Sequence, residues 1–266
     1  MPLPFIATLA ALLYLVATGL QVLSLAQRAA HASRTLVLVT VLALGCHALV
    51  AWDNVAVGEG VHLGFYKISA LIFLVINIAC LASILWRRPL QNLLLVTFPL
   101  SAVAVLVSTF GPQTDTSSGQ LGPGLLVHVA SSILAYAVLT LAAVQAALVA
   151  VQDYQLRHRH PGGIVRVLPP LQLMETMLFE LLWAGVLLLT LAIATGFLFV
   201  EDLFAQHLVH KTTLTIIAWL TFSTLLWGHY QLGWRSQTAV RFTLAGFAAL
   251  MLAFFGSKLV LELILT

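Results

Sequence analysis

The sequence predicts an all-α integral membrane protein, a polytopic bundle of about eight transmembrane helices with both termini on the outer, periplasmic side. Three observations lead there. The 266 residues are 61% hydrophobic and only 8% charged, with a mean hydropathy of +1.04. A soluble domain carries about 25% charged residues, so this chain has too few to cover a water-facing surface. Apolar runs of about 20 residues recur, each long enough as a helix to cross roughly 30 Å of hydrocarbon. Positive charges gather in alternate loops, as expected for loops held on the cytoplasmic side.

Eight runs are read in order: 4–27, 35–52, 66–86, 90–110, 122–151, 176–200, 210–228 and 240–264. They are long and continuous, without the short alternating segments of a membrane β-barrel, so helices are expected. The first run has no Lys or Arg before it and exceeds a signal-peptide core, which favours a retained helix. The loops after runs one, three, five and seven hold Arg28 and Arg34, Arg87 and Arg88, Arg157, Arg159 and Arg166, then Arg235 and Arg241. The opposite side holds Lys67, Lys211 and Lys258 with Asp53, Glu59, Asp115, Glu201, Asp202 and Glu262. Residues 1–266 are read as one transmembrane domain embedded in the bilayer, a multi-pass protein of the bacterial inner membrane.

Two loops differ from the rest. Residues 153–173 contain RHRHPGG and Pro169-Pro170 and are expected along the cytoplasmic membrane surface. Residues 111–124, GPQTDTSSGQLGPG, form a Gly-, Pro- and Ser-rich outer connector. The seventh run closes with WGHYQLGWR, a glycine- and tryptophan-punctuated turn. Trp52, Trp86, Trp183, Trp227 and Trp234 lie near run ends, where an interfacial belt is expected.

The composition excludes several classes. The net charge of +3 is dispersed over loops and gives no basic face for nucleic acid. No CxxC or CxxCH occurs, and Cys46 and Cys80 sit at different membrane depths, so neither a redox pair nor a disulfide is expected. No catalytic triad, carboxylate pair or phosphate loop appears, so the protein is not expected to be an enzyme.

Ionisable groups at membrane depth are costly and therefore draw functional interest. His47 in GCHALVAWD, His128 in GLLVHVASSILAYA and His210 at the head of the seventh run share the outer level. Imidazoles from separate helices at one depth suit haem iron, which takes a histidine nitrogen on one or both faces. Lys211 beside His210 is placed to meet the propionates. For each histidine alone, a hydrogen bond to a neighbouring helix is the plainer reading, and His128 has Ser132 and Tyr136 on its own face. Transition-metal or zinc binding stays open, although no carboxylate is spaced to complete a ligand motif. His207 reads as a solvated loop residue, and His31, His158, His160 and His229 belong to the cytoplasmic interface. Glu175 suits the start of the sixth helix, and Glu180, a turn deeper, is a candidate buried partner for an arginine.

The C-terminal part, HKTTLTIIAWLTFSTLLWGHYQLGWRSQTAVRFTLAGFAALMLAFFGSKLVLELIL, together with GPGLLVHVASSILAYAVLTLAA, resembles the cytochrome c assembly membrane proteins of the CcsA/HemX type. The match is best over about 120–265, and GCHALVAWD fits one bacterial inner-membrane branch of the group. The resemblance implies handling of b-type haem near the outer face during cytochrome c maturation, alongside other membrane proteins of that process. It carries His128 and His210 over as axial, iron-binding histidines. His47, which matches the one branch only, follows as an alternative ligand or a group behind one. Haem-presenting members carry an outer loop of the form WGxxWxWD, whereas residues 111–121 here contain no tryptophan. The expectation is therefore a haem-handling protein that assists or regulates cytochrome c assembly. The alternative is a membrane partner or regulator of a transporter or of haem biosynthesis, with no haem bound.

Overall fold

The computed structural model describes residues 3–26, 34–57, 60–62, 64–85, 90–112, 117–118, 122–158, 168–200 and 209–256. Eight α-helices appear where eight apolar runs were read: α1 Leu3–Ala26, α2 Arg34–Val55, α3 Phe65–Leu85, α4 Leu94–Phe110, α5 Pro123–Arg157, α6 Leu171–Phe199, α7 Val209–Leu232 and α8 Ser236–Met251. Among the described residues, six helices are long and apolar enough to cross a membrane. α4 is a shorter apolar helix, entered through a 3₁₀ turn at Leu90–Leu93. α7 has the length, but polar residues in its first and last turns dilute its apolar run.

The chain divides into two compact units, Met1–Leu121 and Gly122–Thr266. In the first, α1 packs on α2 and α4 through small residues, with Ala7, Ala10, Ala11 and Ala17 buried. Small side chains let helix backbones approach closely in a medium where apolar burial alone gives no preference for protein over lipid. Three short strands also belong here: β1 Ala56–Val57, β2 Gly60–His62 and β3 Ser117–Ser118, paired antiparallel in that order. The outer connector is therefore partly a strand. Pieces of two or three residues are too short to leave a period-two pattern in sequence.

In the second unit α5 and α6 pack along much of their length. Ala135, Ala142, Ala143 and Ala146 are buried, and Gly185 leaves the space that the Leu139 side chain fills. α5 has 35 residues, about 52 Å as a helix, so its last turns extend past the hydrocarbon. This corrects the reading of 153–173 as a surface stretch: 153–157 finish α5 and 171–173 begin α6. Pro170, with φ fixed near the helical value, sits at the α6 N-cap, which starts the helix five residues before the expected position. Residues 159–167, with His160, Arg159 and Arg166, lie outside the described residues.

The α7–α8 turn is built by glycine. Gly233 has φ +67°, a left-handed conformation that side-chain-bearing residues avoid. Trp234 N–H then reaches the Gly228 carbonyl at 3.2 Å, and the indole lies over Gly228, which has no Cβ to obstruct it. His229 donates from Nδ1 to the Trp234 carbonyl at 2.8 Å and stacks on Phe179, ring centroids 3.6 Å apart.

Two ends of the second unit are thereby defined. Gln237 at the start of α8 lies 3.5 Å from the Asp153 carboxylate, which also pairs with Arg157 at 3.0 Å. Arg157 and Arg235 therefore sit at one end. Lys211, the third residue of the 24-residue α7, sits at the other.

Candidate functional site

His128 stands in the second turn of α5 and reaches across to α6. Its Nδ1 lies 2.8 Å from the carbonyl oxygen of Ala192, so Nδ1 carries the proton and donates it. Neutral imidazole then leaves Nε2 as the basic nitrogen. Among the described residues Nε2 has no hydrogen-bond partner. Gly196 makes this contact possible: a Cβ there would stand 3.1 Å from Cε1 and 3.2 Å from Nδ1 of the ring. Thr195 Oγ1 also donates to the Ala192 carbonyl, at 3.1 Å. An imidazole whose Nδ1–H is held by a backbone carbonyl is oriented as metal-binding histidines usually are.

The local cluster expected around His128 forms differently. Ser131 and Ser132 hydroxyls bond to the backbone carbonyl of His128 at 3.0 and 2.7 Å, not to its ring. Tyr136, two turns further along, donates to the Leu250 carbonyl of α8 at 3.0 Å. Its ring lies 5.3 Å from that of Phe254, and Lys211 Nζ sits 5.6 Å above the Phe254 ring. Tyr136, Phe254 and Lys211 thus link α5, the chain just after α8, and the head of α7.

His210 is exposed in the first turn of α7, next to Lys211. No hydrogen bond or ring contact joins it to His128 among the described residues. The residue types are ones that would hold haem: an imidazole whose Nδ1–H is held by a backbone carbonyl, an exposed second imidazole, and a lysine next to it in sequence. Among the described residues no three His, Cys, Asp or Glu side chains gather as a metal cluster.

His47 belongs to the first unit and is fully enclosed there. Its Nδ1 is 3.0 Å from the Tyr14 hydroxyl, and the two rings meet edge to face at 5.8 Å. The Ala70 backbone of α3 lies within reach of the ring, yet Nε2 makes no hydrogen bond of good geometry.

Other polar residues take plain roles. Glu180 is exposed, which corrects its reading as a buried residue. Glu175 is in the second turn of α6. His158 caps α5 with Nδ1 2.8 Å from the Tyr154 carbonyl. Cys46 and Cys80 are both free thiols. Trp52 and Trp227 are exposed, consistent with a lipid-facing belt. His31, His207, Trp86, Arg28, Arg87, Arg88, Lys258 and the acidic residues Glu59, Asp115, Glu201, Asp202 and Glu262 lie outside the described residues.

Sequence reading missed the helix-to-helix polar bonds. Gln145 Nε2 bonds to the Met174 carbonyl at 3.0 Å and Gln152 Nε2 to the Pro169 carbonyl at 2.9 Å, tying α5 to the start of α6. Gln145 inside the 122–151 run, and Gln152 just past its end, were the available signal. Ala192 and Gly196 left none, since a backbone acceptor has no sequence signature.

Comparison with known proteins now bears on this site. The family described as "Cytochrome C assembly protein" matches residues 5–265. The chain is 34% identical over 265 residues to "Inner membrane protein YpjD" of Escherichia coli strain K12, covering 98% of this chain and 100% of that protein. It is 31% identical over 232 residues to an "Uncharacterized 28.8 kDa protein in nifR3-like 5'region" of Azospirillum brasilense, covering 84% of each. No solved structure matches. The six long apolar helices and the full-length similarity to an inner-membrane relative place the chain in the bacterial inner membrane as a multi-pass protein. By the match over nearly its whole length, the chain belongs to the cytochrome C assembly protein family.

Proposed function

We propose that this protein binds haem b between its helices near the outer face and assists or regulates cytochrome c assembly. The observation that carries the reading is the His128 ring. Its Nδ1–H is fixed on the Ala192 carbonyl and its Nε2 is left over. In an apolar medium a leftover basic nitrogen is a liability unless something binds it. Haem iron is the acceptor that family membership suggests, and it supplies redox or ligand-exchange chemistry when bound.

His128 and His210, exposed on α7, would hold the iron, and Lys211 would supply positive charge for the propionates. His47 does not act as a ligand in this reading, because its ring is enclosed on all sides. Both chain termini face the periplasm, and the Arg157 and Arg235 end faces the cytoplasm, following the charge bias.

The test is a reduced-minus-oxidised spectrum of the protein purified in mild detergent after haem supplementation. A Soret band that is lost in the His128→Ala/His210→Ala double variant is the expected result. A flat spectrum in the unaltered protein removes the haem reading and leaves a membrane partner or regulator. A band unchanged in the double variant removes these two histidines.

A further inference from the structure

Away from its head, α7 is held by close-fitting contacts. Phe222 fills the space over Gly246 of α8, where a Cβ would stand 2.8 Å from the ring. Trp219 Nε1 donates to Thr190 Oγ1 of α6 at 2.8 Å, and His229 stacks on Phe179. The head, with His210 and Lys211, lies about two turns beyond Trp219. Helix ends fray, and His210 stands in the first turn. At the head Lys211 Nζ sits 5.6 Å from the centre of the Phe254 ring, a distance at which a ring face attracts a cation.

Phe254 owes its place to the way α8 ends. After Met251 the chain goes over to a π-helical turn, Leu252–Gly256. Its i→i+5 winding takes more residues per turn than an α-helix, so Phe254 projects where an α-helical continuation would not put it. Single turns of this kind are rare and occur mostly at functional sites. Tyr136 meets the turn where it begins. Its hydroxyl donates to the Leu250 carbonyl at 3.0 Å, and its ring lies 5.3 Å from that of Phe254. Tyr136 is 8% exposed, and Leu250 and Ala253 are fully buried, so this junction is packed. Tyr136 also stands about two turns along α5 from His128. A run of contacts therefore leads from the helix of His128, through Tyr136 and Phe254, to the residue beside His210.

We infer that Tyr136 is a positioning residue: through Leu250 and Phe254 it holds the head of α7, and His210 with it, at a set distance from His128. The use of that distance rests on the haem reading above; the strut itself does not. Side chains that hold one metal must be kept within about 0.5 Å of their working geometry. Two histidines on separate helices meet that demand only when the helices are tied together. The hydroxyl is the part that matters. A phenylalanine at 136 would keep a ring against Phe254 but lose the bond that fixes where the π-turn begins.

Pulsed electron resonance between nitroxides tests this in haem-free protein in detergent. The labels go on Leu126→Cys and Thr213→Cys, both exposed, with Cys46→Ala and Cys80→Ala in the background. A single narrow distance is expected, and Tyr136→Phe should replace it with a broad, shifted distribution. Phe254→Leu should do the same, and the double variant should add nothing, because both cut one chain of contacts. A distance unchanged in Tyr136→Phe overturns the inference, even where its melting temperature falls, since Tyr136 is then merely structural. Should Tyr136→Phe fail to fold, a distance unchanged in Phe254→Leu overturns it equally. With haem added, Tyr136→Phe should keep a Soret band through His128 but pass from a low-spin, two-histidine spectrum to a high-spin, one-histidine spectrum. An unshifted low-spin spectrum also overturns the inference. A flat spectrum in the protein with Tyr136 intact removes the haem reading instead, and the distances then decide the strut by themselves.

Discussion

Replacing Gly196 by alanine isolates the contact on which the His128 argument rests. The added Cβ would stand 3.1 Å from Cε1 and 3.2 Å from Nδ1 of the His128 ring. Carbon atoms pack best at about 3.5–4.0 Å, so the ring must retreat by a few tenths of an ångström or tilt. The hydrogen bond to the Ala192 carbonyl, now 2.8 Å, lengthens or breaks. A net cost of about 1 kcal/mol follows for a neutral bond. Alanine in place of glycine inside a helix returns about 0.8–1.0 kcal/mol. The two terms nearly cancel, so the thermal midpoint in detergent should move little.

Haem affinity should behave differently. Loss of the group that orients a metal-bound histidine costs on the order of 10–100-fold in affinity. Gly196→Ala should therefore fold and melt as the unaltered protein does, yet require roughly tenfold or more additional haem for half-saturation of the Soret band. Equal saturation curves for the two proteins refute the positioning argument even where the unaltered protein binds haem. A large drop in melting temperature refutes the energy balance instead.

Further predictions concern other parts of the chain. Tyr14→Phe removes the hydroxyl from His47 Nδ1 and leaves a buried ring nitrogen unpaired; a destabilisation of about 1–3 kcal/mol should appear in detergent melts. Gly228→Ala puts a methyl group into the Trp234 indole and should destabilise the α7–α8 turn, read as faster proteolysis there. Asp153→Asn gives up a part-buried pair with Arg157 whose arginine is 58% exposed, so its effect on melting should be at most about 1 kcal/mol. Cysteines placed at Lys211 and Arg235 should react with a membrane-impermeant thiol reagent from opposite faces of the membrane, the first from outside. Labelling of both from one face refutes the proposed orientation.

The helices were legible because the bilayer leaves the chain few choices. A run of apolar residues with few charges has to satisfy its own backbone, and only helix does so within one segment. The ends were less legible for a specific reason. Pro170 starts α6 through its fixed φ, and α5 continues through Gln152, Asp153 and Arg157, whose polarity looks like loop. Their partners, Pro169 O and Gln237, come from other elements and could not be seen along the sequence. The strands at 56–57, 60–62 and 117–118 have too few residues to show a pattern, and the last pairs with a segment far away in the chain.

The histidines show where residue type stops being informative. His47 and His128 are the same residue, each inside a transmembrane helix and at similar expected depth. Sequence treats them alike. In the fold, a glycine one turn along α6 from Ala192 opens a backbone carbonyl to His128, whereas a tyrosine hydroxyl on α1 takes His47. A carbonyl can only accept, so it fixes which nitrogen of His128 is protonated. A hydroxyl both donates and accepts, so Tyr14 leaves the His47 tautomer free to follow whatever meets its other nitrogen. The first arrangement suits a metal, which needs one defined lone pair. The second leaves that choice open. The difference between the two rings follows from the partner each neighbouring helix supplies.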